Sequence, residues 1–271
     1  MKEVKLVNLK AYLQSLGSVA VAYSGGVDST FLLKLASVVL GDRVLAVIAR
    51  SPIFPQREFR EAQDFVVRNG IRHFSFTVDE LAMEEFAANP VNRCYFCKKK
   101  LFSTIKAIAA KQHLQYVAEG SNQDDSSDYR PGLQAVAELG VVSPLREIGF
   151  TKQEIRQLSH ELGLPTWNKP SFACLASRFP YGEPITSEKL AMVDQAEQFL
   201  LDRGFTQVRV RYHGTVARIE ILPAEFDRLR ETVDRLEINN YLKELGFKYV
   251  TLDLQGYRTG SMNETLGTVD K

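Results

Sequence analysis

The sequence predicts an α/β protein with a doubly wound parallel five-stranded sheet and a smaller C-terminal α+β domain. Three observations support this fold class. Short apolar runs alternate with helical patterns over residues 1–165. A stretch with four prolines and few periodic positions, PTWNKPSFACLASRFPYGEPIT, covers residues 165–186. After it, the pattern changes to a helix, two strands joined by a short turn, a second helix and a last strand.

The first part of the chain supplies the strands of the parallel sheet. Each predicted strand is a short apolar run that is followed by a turn or a helical pattern, as expected of β–α–β units. The five runs are Ser18–Tyr23, Val44–Ala49, His73–Thr77, Tyr116–Glu119 and Val141–Val142. The helix after the first strand shows its buried face at Phe31, Leu32, Leu35, Val38 and Val39.

The predicted organisation is two domains joined by a functional loop. The last helix of the first domain begins at a capping box of Thr151 and Glu154 and ends at Gly163. We place the domains at residues 1–165 and 187–271, with the loop at residues 166–186, because long loops in compact proteins are usually functional or disordered. The second domain is predicted to contain helices at Ser187–Asp202 and Ala224–Leu245 and strands at Gln207–Tyr212, Val216–Ile221 and Tyr249–Leu254.

The composition argues against several classes of protein. The chain has 271 residues with a net charge of +1, so its overall field favours neither nucleic acid nor a membrane surface. The N-terminus shows no signal-peptide core, and no apolar run approaches the ~18 residues that span a bilayer. We therefore expect a cytoplasmic protein. Its three cysteines, an odd number, are then expected to be reduced.

The stretch AYSGGVDST, residues 22–30, lies between the first predicted strand and the first predicted sheet-covering helix. It aims backbone N–H groups and a helix N-terminus at the carboxyl edge of the sheet, an arrangement that binds phosphate. Gly25 and Gly26 allow close approach to a ligand, while Ser24 and Ser29 add hydroxyl donors. The stretch matches neither a Walker A loop nor the dinucleotide G-x-G-x-x-G. A plain turn rich in small residues is the alternative.

The six residues S-G-G-V-D-S resemble the pyrophosphate loop of the ATP pyrophosphatase (PP-loop) superfamily, which has an adenine nucleotide alpha hydrolase-like fold. Its members cleave ATP between the α and β phosphates and adenylylate a carbonyl or carboxyl oxygen. The resemblance implies that Asp28 is catalytic and lies near the phosphates or their Mg²⁺. It implies that ATP is bound by Ser24, Gly25, Gly26, Val27, Asp28 and Ser29, with adenine at Ala49, Arg50 and Ser51.

The cysteines allow several chemistries. Cys94 and Cys97 form a C-x-x-C, but zinc and iron–sulfur clusters usually need four ligands. With Cys174 there are three thiolates, enough for a 4Fe–4S cluster in which one iron is left for an exogenous ligand. Two alternatives remain: a zinc ion with a histidine as fourth ligand, and a redox-active C-x-x-C pair. Cys174 is either a nucleophile, with a thiolate favoured by Lys169 and Arg178, or a small buried residue.

Three further stretches, NRCYFCK, SFACLASRFPYG and DLQGYRTGSMNE, accompany the loop and the run EGSNQDD. Together they resemble the LarE family of ATP-dependent sulfur transferases over nearly the whole chain. The resemblance implies synthesis of the nickel-pincer nucleotide cofactor. The carboxylates of pyridinium-3,5-biscarboxylic acid mononucleotide are adenylylated, with release of pyrophosphate, and then converted to thiocarboxylates, with release of AMP. It also implies a homo-oligomer, a hexamer, and a sulfide-donor protein as partner.

The family resemblance implies two sources of sulfur. In one variant, the cysteine that matches Cys174 forms a thioester, gives up its own sulfur and becomes dehydroalanine. In the other, cysteines that match Cys94, Cys97 and Cys174 hold a 4Fe–4S cluster that carries an extra sulfide. Because all three cysteines are present, we expect the cluster, with sacrificial Cys174 as the alternative.

Family resemblance also implies that arginines of the C-terminal region bind the substrate phosphate. The residues that fit are Ser177, Arg178, Arg209 and Arg211, and guanidinium forks suit phosphate. Arg209 and Arg211 share one face of a predicted strand, so two solvated surface arginines are the alternative. The same region offers carboxylates for a divalent ion, from Glu197, Glu220 and Asp227.

Three other functions share parts of the pattern. Transfer-RNA thiolases use the same loop but usually carry basic extensions, which a net charge of +1 disfavours. Ammonia-dependent synthetases of the superfamily have no need of three cysteines. A non-catalytic nucleotide sensor does not need Ser24, Asp28 and Ser29 in combination with three cysteines. We therefore expect an enzyme with a small-molecule mononucleotide substrate and no nucleic-acid or membrane partner.

Overall fold

The computed structural model describes residues 2–127, 131–170, 173–230, 232–258 and 260–262. The strands are β1 Val19–Ala22, β2 Val44–Arg50, β3 His73–Thr77, β4 Tyr116–Ala118, β5 Arg209–His213, β6 Val216–Glu220 and β7 Tyr249–Leu252. The α-helices are α1 Lys2–Leu16, α2 Val27–Leu40, α3 Gln56–Arg68, α4 Glu84–Ala87, α5 Arg93–Lys111, α6 Pro131–Glu138, α7 Pro144–Glu147, α8 Lys152–Glu161, α9 Ser187–Asp202 and α10 Thr232–Glu244. Short 3₁₀ helices cover Gly41–Arg43, Gln123–Ser127, Leu175–Arg178 and Pro223–Arg230.

The chain divides into two units. The first contains Met1–Glu80 and Val91–Phe172, and the second contains Leu81–Pro90 and Ala173–Lys271. The boundaries that we expected at residues 165 and 186 stay predictions. None of the helices in the described ranges combines the length and the apolar character that a membrane span requires.

The first unit contains a parallel sheet in the strand order β3-β2-β1-β4. Val19 of β1 pairs with Val44 of β2 on one side and with Tyr116 of β4 on the other. The chain therefore leaves β1 in one direction across the sheet and returns to its other side at β4. Ligands of doubly wound sheets bind at the carboxyl ends of the strands, at this reversal of strand order. The parallel α/β architecture is confirmed.

The predicted fifth strand is not confirmed. In the described residues this sheet has four strands, and Val142 joins β4 through a single parallel bridge to Ala118. The bridge consists of Val142 N donating to Val117 O and Glu119 N donating to Val142 O, each at 3.0 Å. Pro144 follows two residues later and has no N–H to extend the pairing.

Helices cover both faces of the sheet. Val19 and Val21 pack in one apolar layer, with residues of α1, α2, α3 and α8, whereas Ala20 packs in another, with α5 and α6. This alternation follows the two-residue period of a strand. The capping box of Thr151 and Glu154 is present at the start of α8. Val38, which the periodicity placed on the buried face of α2, is exposed.

The second unit contains a mixed sheet in the order β5-β6-β7. β5 pairs with β6 antiparallel, with Arg209 opposite Glu220 and Arg211 opposite Arg218, and β6 pairs with β7 in parallel. Helix α9 has the predicted bounds Ser187–Asp202. The second predicted helix is divided into the 3₁₀ segment Pro223–Arg230 and α10. A smaller α+β part is thus confirmed.

Candidate active site

The S-G-G-V-D-S loop connects the end of β1 to α2. Gly26 is the N-cap residue in an extended conformation, and no side chain caps the helix. Gly25 has φ +74°, and a Cβ there would lie 3.1 Å from Ala62 Cβ. The hydroxyls of Ser24 and Ser29 lie 3.1 Å apart. The loop therefore presents an uncapped helix N-terminus and two hydroxyls at the predicted ligand edge, as an anion site requires.

The run EGSNQDD forms a second wall beside this loop. A Cβ at Gly120 would lie 3.0 Å from Ser29 N, so only glycine allows this close approach of the two backbones. The buried carboxylate of Glu119 accepts hydrogen bonds from Ser121 N at 3.0 Å, Ser121 Oγ at 2.7 Å and Ser143 Oγ at 2.5 Å. Glu119 therefore fixes the chain that follows β4 where it meets the loop.

Asp28 is held by a lysine that the sequence analysis missed. Lys152 Nζ donates to Asp28 Oδ2 at 2.5 Å, and Lys152 N donates to Asp124 Oδ2 at 2.8 Å. Burial raises the pKa of Asp28 although the Lys152 ammonium opposes the shift. The second oxygen, Asp28 Oδ1, is buried and has no hydrogen-bond partner. One carboxylate oxygen is thus neutralised by an ammonium, and the other remains unused.

A second lysine contacts the loop from the end of the first unit. Lys169 Nζ lies 2.7 Å from Glu58 Oε2, 2.6 Å from Glu61 Oε2 and 3.3 Å from Gly25 O. We expected this ammonium to favour the Cys174 thiolate. Within the first unit, two carboxylates already compensate its charge.

The predicted adenine segment is connected to the C-x-x-C helix through Glu80. Ser51 Oγ donates to Glu80 Oε2 at 2.5 Å, and Cys97 Sγ lies 4.0 Å from Glu80 Oε1. Glu80 is fully buried, and burial raises its pKa. Arg50 lies with its guanidinium 6.0 Å from the centre of the Phe59 ring. Nothing in the sequence around Ser51 indicated this carboxylate, because it follows β3, 29 residues later.

None of the three cysteines is part of a disulfide. Cys94 and Cys97 are three residues apart in the first turns of α5; Cys94 is exposed and Cys97 partly exposed. Among the described residues, no three His, Cys, Asp or Glu side chains form a group that could hold a metal ion. The cluster would need cysteines from both units of the chain, and it stays a prediction, as does the divalent ion.

Cys174 lies directly before the 3₁₀ helix Leu175–Arg178 and is partly exposed. Arg178 Nη1 donates to Ala173 O at 2.9 Å, to Cys174 O at 3.1 Å and to Ser177 Oγ at 2.9 Å. The same guanidinium donates to Glu197 through Nε at 2.8 Å and Nη2 at 2.7 Å. The backbone on both sides of the thiol is therefore held by one fully buried arginine.

The predicted arginine pair on β5 is buried. Arg209 is 2% exposed and Arg211 is 4% exposed, so the alternative of solvated surface arginines is wrong. Arg211 donates to Ser177 O at 2.9 Å, to Glu220 Oε2 at 2.8 Å and to Ser261 Oγ at 2.9 Å, while its Nε has no partner. Burial and then the charge of Arg178 lower the pKa of Arg209 to about 10.

Glu197 and Glu220 are engaged by arginines instead of facing a cation site. Burial opposes ionisation of Glu197, but the Arg178 guanidinium outweighs it and holds the pKa of this carboxyl below its ordinary value. Glu220 accepts from Arg211 and lies 3.3 Å from Arg218. Asp227 lies in the 3₁₀ segment Pro223–Arg230.

The buried charges that the structure describes in the second unit do not cancel. Its buried charged side chains, within the described ranges, are three arginines and two glutamates. They are Arg178, Arg209, Arg211, Glu197 and Glu220. An uncompensated buried guanidinium is costly unless an anion completes the site. An anionic ligand would offset this excess, and a phosphate suits arginine forks.

The fold and the loop together define a protein of the PP-loop class. The chain is 43% identical, over 97% of its length and 95% of the relative, to pyridinium-3,5-bisthiocarboxylic acid mononucleotide synthase of Lactiplantibacillus plantarum. It is 46% identical over 98% of its length, and 99% of the relative, to an uncharacterised protein of Synechocystis. The chain therefore belongs to the LarE family.

A more distant relative is a component of the glutamine-hydrolysing GMP synthase of Thermoplasma acidophilum, which is 30% identical over 69% of this chain and 64% of its own. No family model matches the chain. The similarity to this enzyme covers less of the chain than the similarity to the bisthiocarboxylic acid synthase, which includes the second unit.

Proposed function

We infer that this chain is an enzyme that converts the carboxylates of pyridinium-3,5-biscarboxylic acid mononucleotide to thiocarboxylates, at the expense of ATP. The observation that carries the proposal is in the second unit, where the buried arginine that holds the backbone of Cys174 belongs to a cluster with an excess positive charge. A thiol and an anion site are therefore combined, as sulfur transfer to a phosphate-bearing substrate requires. The product for which the Lactiplantibacillus relative is named supports the substrate.

The first unit supplies the proposed activation step. A substrate carboxylate oxygen attacks the α-phosphorus of ATP, and the bond to the β-phosphate oxygen breaks to release pyrophosphate. The uncapped N-terminus of α2 and the hydroxyls of Ser24 and Ser29 stabilise the charge on the leaving pyrophosphate. Lys152 offsets the negative charge of Asp28, which otherwise repels the phosphates. The free Asp28 Oδ1 is available to the Mg²⁺ that accompanies ATP.

The second step replaces AMP by sulfur. The Cys174 thiolate attacks the acyl carbon, the bond to AMP breaks, and a thioester forms. A base then removes the Cys174 Cα proton, the Cβ–S bond breaks, and the thiocarboxylate leaves dehydroalanine in the chain. This route uses one cysteine, which the structure holds in a defined backbone geometry.

A 4Fe–4S cluster on Cys94, Cys97 and Cys174 stays a prediction. No group of three such ligands is present in the described part of the chain, and we derive no step through a cluster. The hexamer, the sulfide-donor protein and the cytoplasmic location likewise stay predictions.

The test is an assay with ATP, Mg²⁺ and the biscarboxylated mononucleotide, in which AMP, pyrophosphate and thiocarboxylate are measured by mass spectrometry. We expect AMP release only with the carboxylated substrate. Cys174→Ala should keep adenylylation and lose the sulfur product. A loss of ~34 Da at Cys174 after turnover indicates sacrificial transfer, whereas an unchanged mass with bound iron indicates a cluster. Thiolation of RNA without turnover of the mononucleotide contradicts the proposal.

Lys152→Met tests the activation step. It should lower substrate-dependent pyrophosphate release about 100-fold, because an ionic hydrogen bond to Asp28 and a neighbouring positive charge are lost. The matched control is Lys5→Met, since Lys5 also forms a part-buried ion pair of the first unit, with Glu154 at 2.8 Å. Equal activity of the two variants contradicts the role of Lys152.

A further inference from the structure

The motif DLQGYRTGSMNE has no part in the steps above, and its described residues lie against the arginine cluster. We call residues 253–258 and 260–262 the C-terminal strap. The strap is attached to the end of β6: Asp253 N donates to Ile219 O at 2.9 Å and Tyr257 N donates to Ile221 O at 2.8 Å. Its route requires glycine, because Gly256 has φ +70° and a Cβ there would lie 2.6 Å from Ile221 O.

The Asp253 carboxylate forms hydrogen bonds within the strap and to β6. Asp253 Oδ1 accepts from Gln255 N at 2.9 Å and from Arg258 Nη1 at 3.3 Å, while Oδ2 accepts from Arg218 Nη1 at 2.7 Å. Arg258 Nη1 also donates to Gly256 O at 3.1 Å. Residues 253–258 therefore form a hydrogen-bonded turn that is tied to β6.

Two strap side chains reach the buried arginines. Ser261 Oγ accepts from Arg211 Nη2 at 2.9 Å and donates to Glu220 Oε1 at 2.9 Å, and Ser261 is itself buried. The Tyr257 ring centre lies 5.1 Å from the guanidinium carbon of Arg209. The hydroxyl fixes the plane of one guanidinium, and the ring supports the other.

The partners of Arg211 define what remains for a ligand. Glu220, Ser177 and Ser261 take its two terminal nitrogens, while the buried Nε has no acceptor. Glu220 is itself shared with Arg218 and Ser261, so it does not neutralise Arg211 alone. An anionic acceptor at this place satisfies the free donor and offsets the excess buried charge.

We propose that Ser261 and Tyr257 are positioning residues that hold Arg211 and Arg209 as a receptor for the phosphomonoester of a pyridinium mononucleotide. The inference rests on the proposed function for the ligand and for the phosphate-binding role of the two arginines, and it adds the roles of Ser261 and Tyr257. Through these arginines the strap would discriminate a nucleotide from its nucleoside.

The test is calorimetric titration of the full chain with nicotinamide mononucleotide and with nicotinamide riboside, which differ by the phosphate. The wild type should bind the mononucleotide more tightly. Ser261→Ala should weaken mononucleotide binding about tenfold, the size of a lost hydrogen bond to a charged group, and leave riboside binding unchanged. Ser261→Thr should restore it. Thr251→Val, which removes a hydroxyl bonded to Ala217 O on the same sheet, is the matched control and should bind like the wild type.

A second pair of variants keeps the test independent of the folding of Ser261→Ala. Tyr257→Leu should weaken mononucleotide binding about threefold, and Tyr257→Phe, which keeps the ring, should not. Equal binding of mononucleotide and riboside by the wild type overturns the receptor. Unchanged binding by both Ser261→Ala and Tyr257→Leu overturns the role of the strap. Because these titrations need no turnover, absence of thiocarboxylate synthesis contradicts the proposed function and leaves them valid.

Discussion

Replacement of Glu197 by glutamine tests the charge balance of the second unit. The substitution preserves side-chain volume and lets an oxygen still accept from Val210 N, which lies 2.9 Å from Glu197 Oε1. It removes one of two buried carboxylates that face three buried arginines, and it places an amide N–H₂ against Arg178 Nη2. Donor then faces donor, and a buried guanidinium loses its counterion.

The expected loss in the free energy of unfolding is about 3–5 kcal/mol, the range for breaking a buried ion pair from one side. Glu237→Gln is the control, because Glu237 pairs with Arg203 at 2.6 Å but is about half exposed, and such pairs contribute at most about 1 kcal/mol. Urea unfolding followed by circular dichroism measures both at pH 7. Arg178→Met combined with Glu197→Met should recover part of the loss. No buried charge of the pair remains, but Val210 N and two backbone carbonyls lose their hydrogen-bond partners.

The pH dependence of the same pair has a defined sign. The pKa of Glu197 is held below its ordinary value, so its contribution is present above the unfolded-state pKa and is lost as the pH falls through the folded-state value. The difference between the wild type and Glu197→Gln should therefore shrink in acid. If Glu197→Gln lowers the free energy of unfolding at pH 7 no more than Glu237→Gln does, the argument that the stability of this unit depends on its buried charge balance is refuted.

Two further predictions concern the loop. Gly120→Ala should raise the KM for ATP with little effect on helix content, because the added Cβ meets Ser29 N at 3.0 Å. Gly132→Ala is the control, because its Cβ meets Lys98 Cγ at the same distance but not the backbone of the loop. Equal KM values of the two variants contradict the packing argument. Asp28→Asn should be more stable than the wild type at pH 8 and lose ATP turnover. Because the pKa of Asp28 is raised, the protonated carboxyl stabilises the fold below the unfolded-state pKa, and this stability is lost as the pH rises through the folded-state value. A pH series of melting temperatures measures the effect. An Asp28→Asn variant that is less stable than the wild type at pH 8 contradicts this prediction.

The sheet and its loop were predictable because their signals are local. An apolar run and a helical period reveal each strand and helix, and the six loop residues are adjacent in the chain. The prediction of a fifth strand was not confirmed for an equally local reason, because Pro144 prevents extension of the Val142 bridge. The side-chain contacts of the site residues could not be predicted from the sequence. Lys152 reaches Asp28 from 124 residues away, and only the reversal of strand order brings them together.

The arginines of β5 show why burial is harder to predict than orientation. Strand periodicity correctly placed Arg209 and Arg211 on one face, and alternating charge on a strand usually marks the solvent side. Here this face is buried instead. Glu220 lies diagonally across the sheet from Arg211, and Ser261 of the strap forms hydrogen bonds to both side chains. A face that looks solvated in the sequence is thus buried by partners that are distant in the chain. Two arginines placed there at the cost of desolvation, with one N–H still unused, are better explained by an anionic ligand than by stability alone.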